Sequence, residues 1–150
     1  MKLAEDVLIT VEGWQRMRAE LSQLQERRRL WLSEHVGLDG EPGLGSLPQH
    51  MLDELAILDH RITRLQEVLA RAVPIGEDDR VPGLVGVGSW VTVRWEDGVE
   101  EVCAIVGSPE ADGQAGRVSC ESPVGRALLG RAEGEWVEIN TPAGPERLEV

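Results

Sequence analysis

Apolar residues recur at intervals of three and four early in the chain: Trp14, Met17, Leu21, Leu24 and Trp31, with Arg28 standing where another apolar residue belongs. That spacing keeps one stripe of a helix apolar and makes the seam of a coiled coil. Thr10 ahead of it, with Glu12 in the first turn, reads as a helix start. The hydroxyl can accept from an orphan amide, and the carboxylate suits the positive end of the helix dipole. No Gly or Pro interrupts the interval from Trp14 to Val36, but Gly37, Gly40, Pro42, Gly43, Gly45 and Pro48 then crowd together. No helix tolerates that density of breakers. A second seam runs through Met51, Leu55, Leu58, Ile62, Leu65, Leu69 and Ala72, and Pro74 and Gly76 close it. Two such helices joined by a Gly/Pro-rich turn bury their stripes against each other, which predicts an antiparallel helical hairpin.

After Gly76 the period changes to two. Trp90–Trp95 is β-branched and aromatic, Asp97-Gly98 is a hairpin turn signal, and Val99–Val106 is the expected partner strand. Arg117–Cys120 reads as a short strand. Ser122 as cap, Pro123 in the first helical position and Gly130 as stop predict a short helix between them. Trp136–Asn140 and Arg147–Val150 read as closing strands around a Pro/Gly turn. The expected class is α+β: an N-terminal antiparallel coiled-coil hairpin followed by a small antiparallel β domain. The expected boundaries are an arm over 1–75, a linker over 76–82 and a C-terminal domain over 83–150.

Composition narrows the partners. Net charge is −12, from 27 acidic and 15 basic residues, so free nucleic acid is not an expected direct partner. There is no apolar leader at the N-terminus and no run of about 20 apolar residues, so the expectation is a cytoplasmic monomer with no membrane contact. Cys103 and Cys120 have neither zinc-site nor disulfide-framework spacing and read as buried free thiols. His35, His50 and His60 form no metal pattern with them. No phosphate-binding Gly loop and no nucleophile motif is present, so the chain is not expected to be an enzyme.

Charge along the hairpin is uneven. From Leu30 to His60 there is no Lys or Arg, while Glu34, Asp39, Glu41, Asp53, Glu54 and Asp59 are acidic. Carboxylates at a turn can lend one or two oxygens to Mg²⁺, although a solvated loop accounts for the same residues. The triplet Arg27-Arg28-Arg29 can touch an acidic surface or simply be a solvated helix face, with Arg28 obliged to snorkel or pair because it lies on the seam.

Several strings are more specific. Thr10-Val11-Glu12-Gly13 with Met17 and Glu20-Leu21 resembles the helix opening of the Gre family of bacterial transcript-cleavage factors. Arg61-Ile62 with Leu65 and Leu69, Gly86-Val87-Gly88-Ser89-Trp90-Val91, and Gly134-Glu135 with Thr141-Pro142-Ala143-Gly144 are similar to later parts of it. The most specific match is Ser122-Pro123-Val124-Gly125-Arg126-Ala127-Leu128-Leu129-Gly130. The resemblance implies a coiled-coil arm and a C-terminal domain of FKBP-like fold. It also implies a partner, bacterial RNA polymerase: the globular domain docks at the rim of the secondary channel and the arm enters the channel. On that resemblance Ser122, Pro123, Val124, Gly125 and Arg126 belong to the docking region.

Cleavage-active members of that family carry at the tip Gly-Asp-Leu-x-Glu-Asn-Ala-Glu-Tyr, whose carboxylates help hold a Mg²⁺ shared with the polymerase active site. Counting back without gaps from Arg61, Glu41 takes the Asp position, Leu44 the Glu position, Leu47 the later Glu and Pro48 the Tyr. Asp39 is the nearest substitute carboxylate. The resemblance therefore implies a regulator that enters the channel, restrains or modulates transcription, and binds no metal by itself. A cleavage-stimulating factor using Asp39 and Glu41, and a peptide-binding module of FKBP-like fold, stand as alternatives.

Overall fold

The computed structural model of the chain describes residues 6–36 and 43–150. They form two compact units: residues up to Trp14 together with Ala72–Val150, and Gln15–Arg71.

The helical unit is built from α1 (Val11–His35) and α2 (Gln49–Arg71). On α1 the half-buried positions include Trp14, Met17, Leu21, Leu24, Arg28 and Trp31, the series read from spacing, while most of the helix between them is exposed. On α2, Leu55, Ile62 and Leu65 are buried. Fully burying one such side chain contributes about 1.5–3 kcal/mol, so the stripe rather than helix propensity holds the pair together. Two ion pairs fix the antiparallel sense. Arg61 donates to both oxygens of Glu20 (2.8 and 3.0 Å), and the Arg28 guanidinium bonds Asp59. The cation on the seam is thus paired with an acid from the facing helix.

The second unit begins with two strands that periodicity did not reveal. β1 (Val7–Thr10) pairs in parallel with β2 (Ala72–Ile75), and Ile9 is fully buried. An arm over 1–75 was expected from helix periodicity, but packing groups both strands with the sheet rather than with the helices. The pairing joins segments on either side of the whole hairpin, so no local pattern announces it. Pro74 is tolerated because a two-stranded sheet leaves each strand an edge.

The main sheet has the order β5-β4-β3-β7-β6. Its strands are β3 (Trp90–Trp95), β4 (Glu100–Val106), β5 (Arg117–Ser119), β6 (Trp136–Thr141) and β7 (Gly144–Glu149). The expected antiparallel arrangement holds for β3–β4, β3–β7 and β6–β7; β5 joins β4 in parallel, because residues 107–116 cross back before it. Asp97-Gly98 makes the β3–β4 turn, with Gly98 at φ +87 and Val99 N–H donating to the Asp97 carboxylate at 3.0 Å. The short helix α3 (Pro123–Leu128) covers the inner face of the sheet. Leu128, Ile105 and Leu148 are fully buried there, with Val93, Val137, Ile139 and both cysteines beside them. Among the described residues no helix is long and apolar enough to cross a membrane.

Candidate functional site

The segment that carries the most specific sequence string is built around a tight approach of backbone to backbone. Ser122 accepts from Gly125 N–H at 3.1 Å as a helix cap, and its own hydroxyl donates to Ser119 O at 2.7 Å. Gly125 lies so close to β5 that a Cβ there would fall 2.0 Å from Ser119 O. Only glycine permits that contact. Val124 packs against the core of the sheet. Three of the five candidate docking residues, Ser122, Val124 and Gly125, therefore build the helix, and Pro123 and Arg126 remain exposed on it. Arg126 forms no ion pair among the described residues. Beside the cap, Ser108 donates to Glu121 and shares a 2.8 Å bond with Ser119, which fixes the Glu121 carboxylate.

The arm's basic triplet is not a single patch. Neighbouring helix residues are turned about 100° from one another, so the three cations leave α1 in different directions. Arg28 is engaged by Asp59, and Arg29 donates to Glu26 at 2.6 Å. The latter bond holds the Glu26 carboxyl below its ordinary range. Arg27 alone is left exposed without an ion pair among the described residues.

Asp39 and Glu41 lie outside the described residues. The described part of the turn starts at Gly43, and Leu44–Ser46 forms one turn of 3-10 helix with Leu44 exposed. Leu47 and Pro48 lead directly into α2. Among the described residues no group of three His, Cys, Asp or Glu side chains is placed to hold a metal ion.

One site went unread in the sequence. Glu110 is buried, and its carboxylate accepts from Thr10 N–H (2.9 Å), from the Thr10 hydroxyl and from Gly107 N–H (3.0 Å). Thr10 Oγ1 in turn accepts from Gly13 N–H at 3.0 Å, which makes Thr10 the expected cap of α1. A Cβ on Gly13 would lie 1.9 Å from Glu110 Oε1, so any side chain there must displace the buried carboxylate. Gly107 is equally constrained, its Cβ position being 1.8 Å from Leu8 O of β1. Glu110 closes its own turn through Gly107 N–H, but the partners that tie it to α1 lie at the other end of the chain.

The two thiols sit in the sheet core. Burial pushes the Cys103 and Cys120 thiols above their ordinary pKa, with the nearby Glu101 and Glu121 charges adding to it.

Comparison with known proteins gives a consistent family. Residues 80–150 match the family model for the C-terminal domain of the transcription elongation factors GreA and GreB. Over 146 residues the chain is 42% identical to transcription elongation factor GreA of Chloroflexus aurantiacus, covering 95% of this chain and 93% of that one. It is 37% identical to the GreA of Bacillus cereus over 95% and 92% of the two chains. A solved structure of the transcription factor Gfh1 aligns over 99% of this chain and 97% of its own at 27% identity, with a TM-score of 0.43, too low to bear on the site. The chain belongs to the GreA/GreB family of transcription elongation factors.

Proposed function

We propose that this chain binds bacterial RNA polymerase at its secondary channel and modulates transcription there without stimulating transcript cleavage. The observation that carries the reading is Leu44. It takes the place of the second tip carboxylate when counted from Arg61, and its side chain is an exposed alkyl group in the described turn. An alkyl group offers no oxygen to Mg²⁺, a hard cation that takes oxygen ligands in near-octahedral geometry. Glu41 would keep one carboxylate, and one carboxylate in a Gly-rich turn orders at greater entropic cost than a preset pair. Since metal-assisted hydrolysis depends on positioning, occlusion of the channel is the better-supported mode of action. Pro123 and Arg126, exposed on α3, are the contacts we assign to docking. Any Mg²⁺ involved would belong to the polymerase active site.

The second reading, cleavage stimulation through Asp39 and Glu41, keeps its place because one tip carboxylate survives. An isomerase-like role has little in its favour, as the chain has no Phe or Tyr to line an aromatic pocket. The test is a backtracked bacterial elongation complex with Mg²⁺, with the RNA followed on a gel. Intact RNA with slowed elongation is the expected result. Release of short 3′ fragments, abolished by Glu41→Ala, would establish the cleavage reading instead.

A further inference from the structure

The C-terminal end of the β4–β5 pair carries two hydroxyls whose protons can be assigned by counting. Val106 of β4 pairs with Ser119 of β5, and Cys120 N–H donates to Val106 O at 2.8 Å. Gly107 leads into the 3-10 turn Ser108–Glu110, and its N–H donates to the Glu110 carboxylate at 3.0 Å. Ser108 and Ser119 therefore stand on fixed backbone, with their hydroxyl oxygens 2.8 Å apart. Ser108 gives its one proton to the Glu121 carboxylate, so Ser119 is the donor between the two hydroxyls. Ser119 Oγ accepts in turn from Glu121 N–H at 3.1 Å.

These bonds close a ring that runs in one sense: Glu121 N–H to Ser119, Ser119 to Ser108, and Ser108 back to Glu121 Oε2. Each hydroxyl both accepts and donates, so each bond polarises the next. An exposed glutamate is ordinarily a mobile side chain, but here its amide and its carboxylate are both held. Its other oxygen, Oε1, has no hydrogen-bond or ion-pair partner among the described residues. Two Ser-Pro steps converge here, since Ser122 Oγ donates to Ser119 O at 2.7 Å while Ser108 bonds Ser119 Oγ. The ring thus joins the 108–110 turn, β5 and the start of α3.

We propose that Ser108 and Ser119 are positioning residues that preset the Glu121 carboxylate for one basic side chain, lysine or arginine, on the surface where α3 docks. The inference rests on that docking reading and names the chemistry of its partner. A held carboxylate with one open oxygen is complementary to a single cation, and charge-assisted bonds of this kind are the strong ones. Fixing the side chain in the free chain also removes an entropy cost from association. A purely structural tie between the 108–110 turn and β5 is complete in the Ser108–Ser119 bond and requires no charge.

The test titrates bacterial RNA polymerase core enzyme into the full chain carrying an N-terminal fluorophore, read by fluorescence polarisation. Ser108→Ala should weaken binding about three- to tenfold, and Glu121→Ala about tenfold or more. The double variant should bind like Glu121→Ala, because without the carboxylate there is nothing to position. Ser108→Thr keeps the hydroxyl and should bind like the parent chain. In the free chain, NMR couplings at the Glu121 Cβ protons should report one rotamer, which Ser108→Ala should average. Averaged couplings in the parent chain would overturn the proposal. So would parental affinity in Ser108→Ala, or losses in the two single variants that multiply in the double; docking through α3 would survive each of these. A parent chain that does not bind polymerase at all would remove the docking reading, and this inference with it, even with the ring closed.

Discussion

Thr10 and Glu110 stand 100 positions apart and meet through two hydrogen bonds, one to the backbone amide of Thr10 and one to its hydroxyl. The same carboxylate takes Gly107 N–H, while Thr10 caps α1. The start of the first helix is therefore tied to the 3-10 turn Ser108–Glu110, which follows β4. Glu110→Ala leaves buried donors without an acceptor, each costing about 1–3 kcal/mol. Loss of about 3 kcal/mol is the expected result, measured by urea unfolding with an unchanged m-value. A loss below about 0.5 kcal/mol would show that water replaces the carboxylate.

Gly125 and Arg126 are neighbours with opposite roles. Gly125→Ala drives a methyl group into the β5 backbone and should cost about 1–3 kcal/mol, lowering Tm. Arg126→Ala alters an exposed side chain and should leave stability within about 0.5 kcal/mol. If α3 docks on polymerase, Arg126→Ala weakens that binding with an unchanged melting curve. Equal affinity of the variant and the parent chain would remove Arg126 from the interface.

Arg28 and Asp59 are half-exposed partners at a place the seam reserves for an apolar residue. Such pairs contribute about 0–1 kcal/mol and are screened by salt. Arg28→Leu should stabilise the hairpin by up to about 1 kcal/mol by making the stripe continuous. Thermal unfolding at low and high salt checks this, since the stability gained by the variant over the parent chain should grow as salt screens the Arg28–Asp59 pair.

The buried thiols make stability pH-dependent on the alkaline side. Burial raises the folded pKa of Cys103 and Cys120, so the folded state holds these protons more tightly than the unfolded chain. Their contribution is complete below the unfolded thiol pKa of about 8.5 and is lost as pH rises through the folded value. Urea midpoints should therefore fall above about pH 8.5, and the fall should shrink in a Cys103→Ala/Cys120→Ala variant. A pH-independent midpoint would show that the thiols ionise alike in both states.

Both helices, their seams, the Asp97-Gly98 hairpin, the capped helix at Ser122 and most strands were legible in the sequence. Each rests on relations among residues a few positions apart: a period of three and four, a period of two, a cap, a turn glycine. Arg28 could be seen to need a partner, and the facing helix supplied Asp59. Tertiary structure alone decided the rest. The β1–β2 pairing spans the hairpin, the parallel β4–β5 contact depends on the intervening crossover, and the Glu110 site is made by residues a hundred positions apart. The close approaches at Gly13, Gly107 and Gly125 also exist only once the chain has closed on itself. Local chemistry sets which element a segment forms, but a site requires two distant backbones to arrive at one place, and no period in a linear chain records that distance.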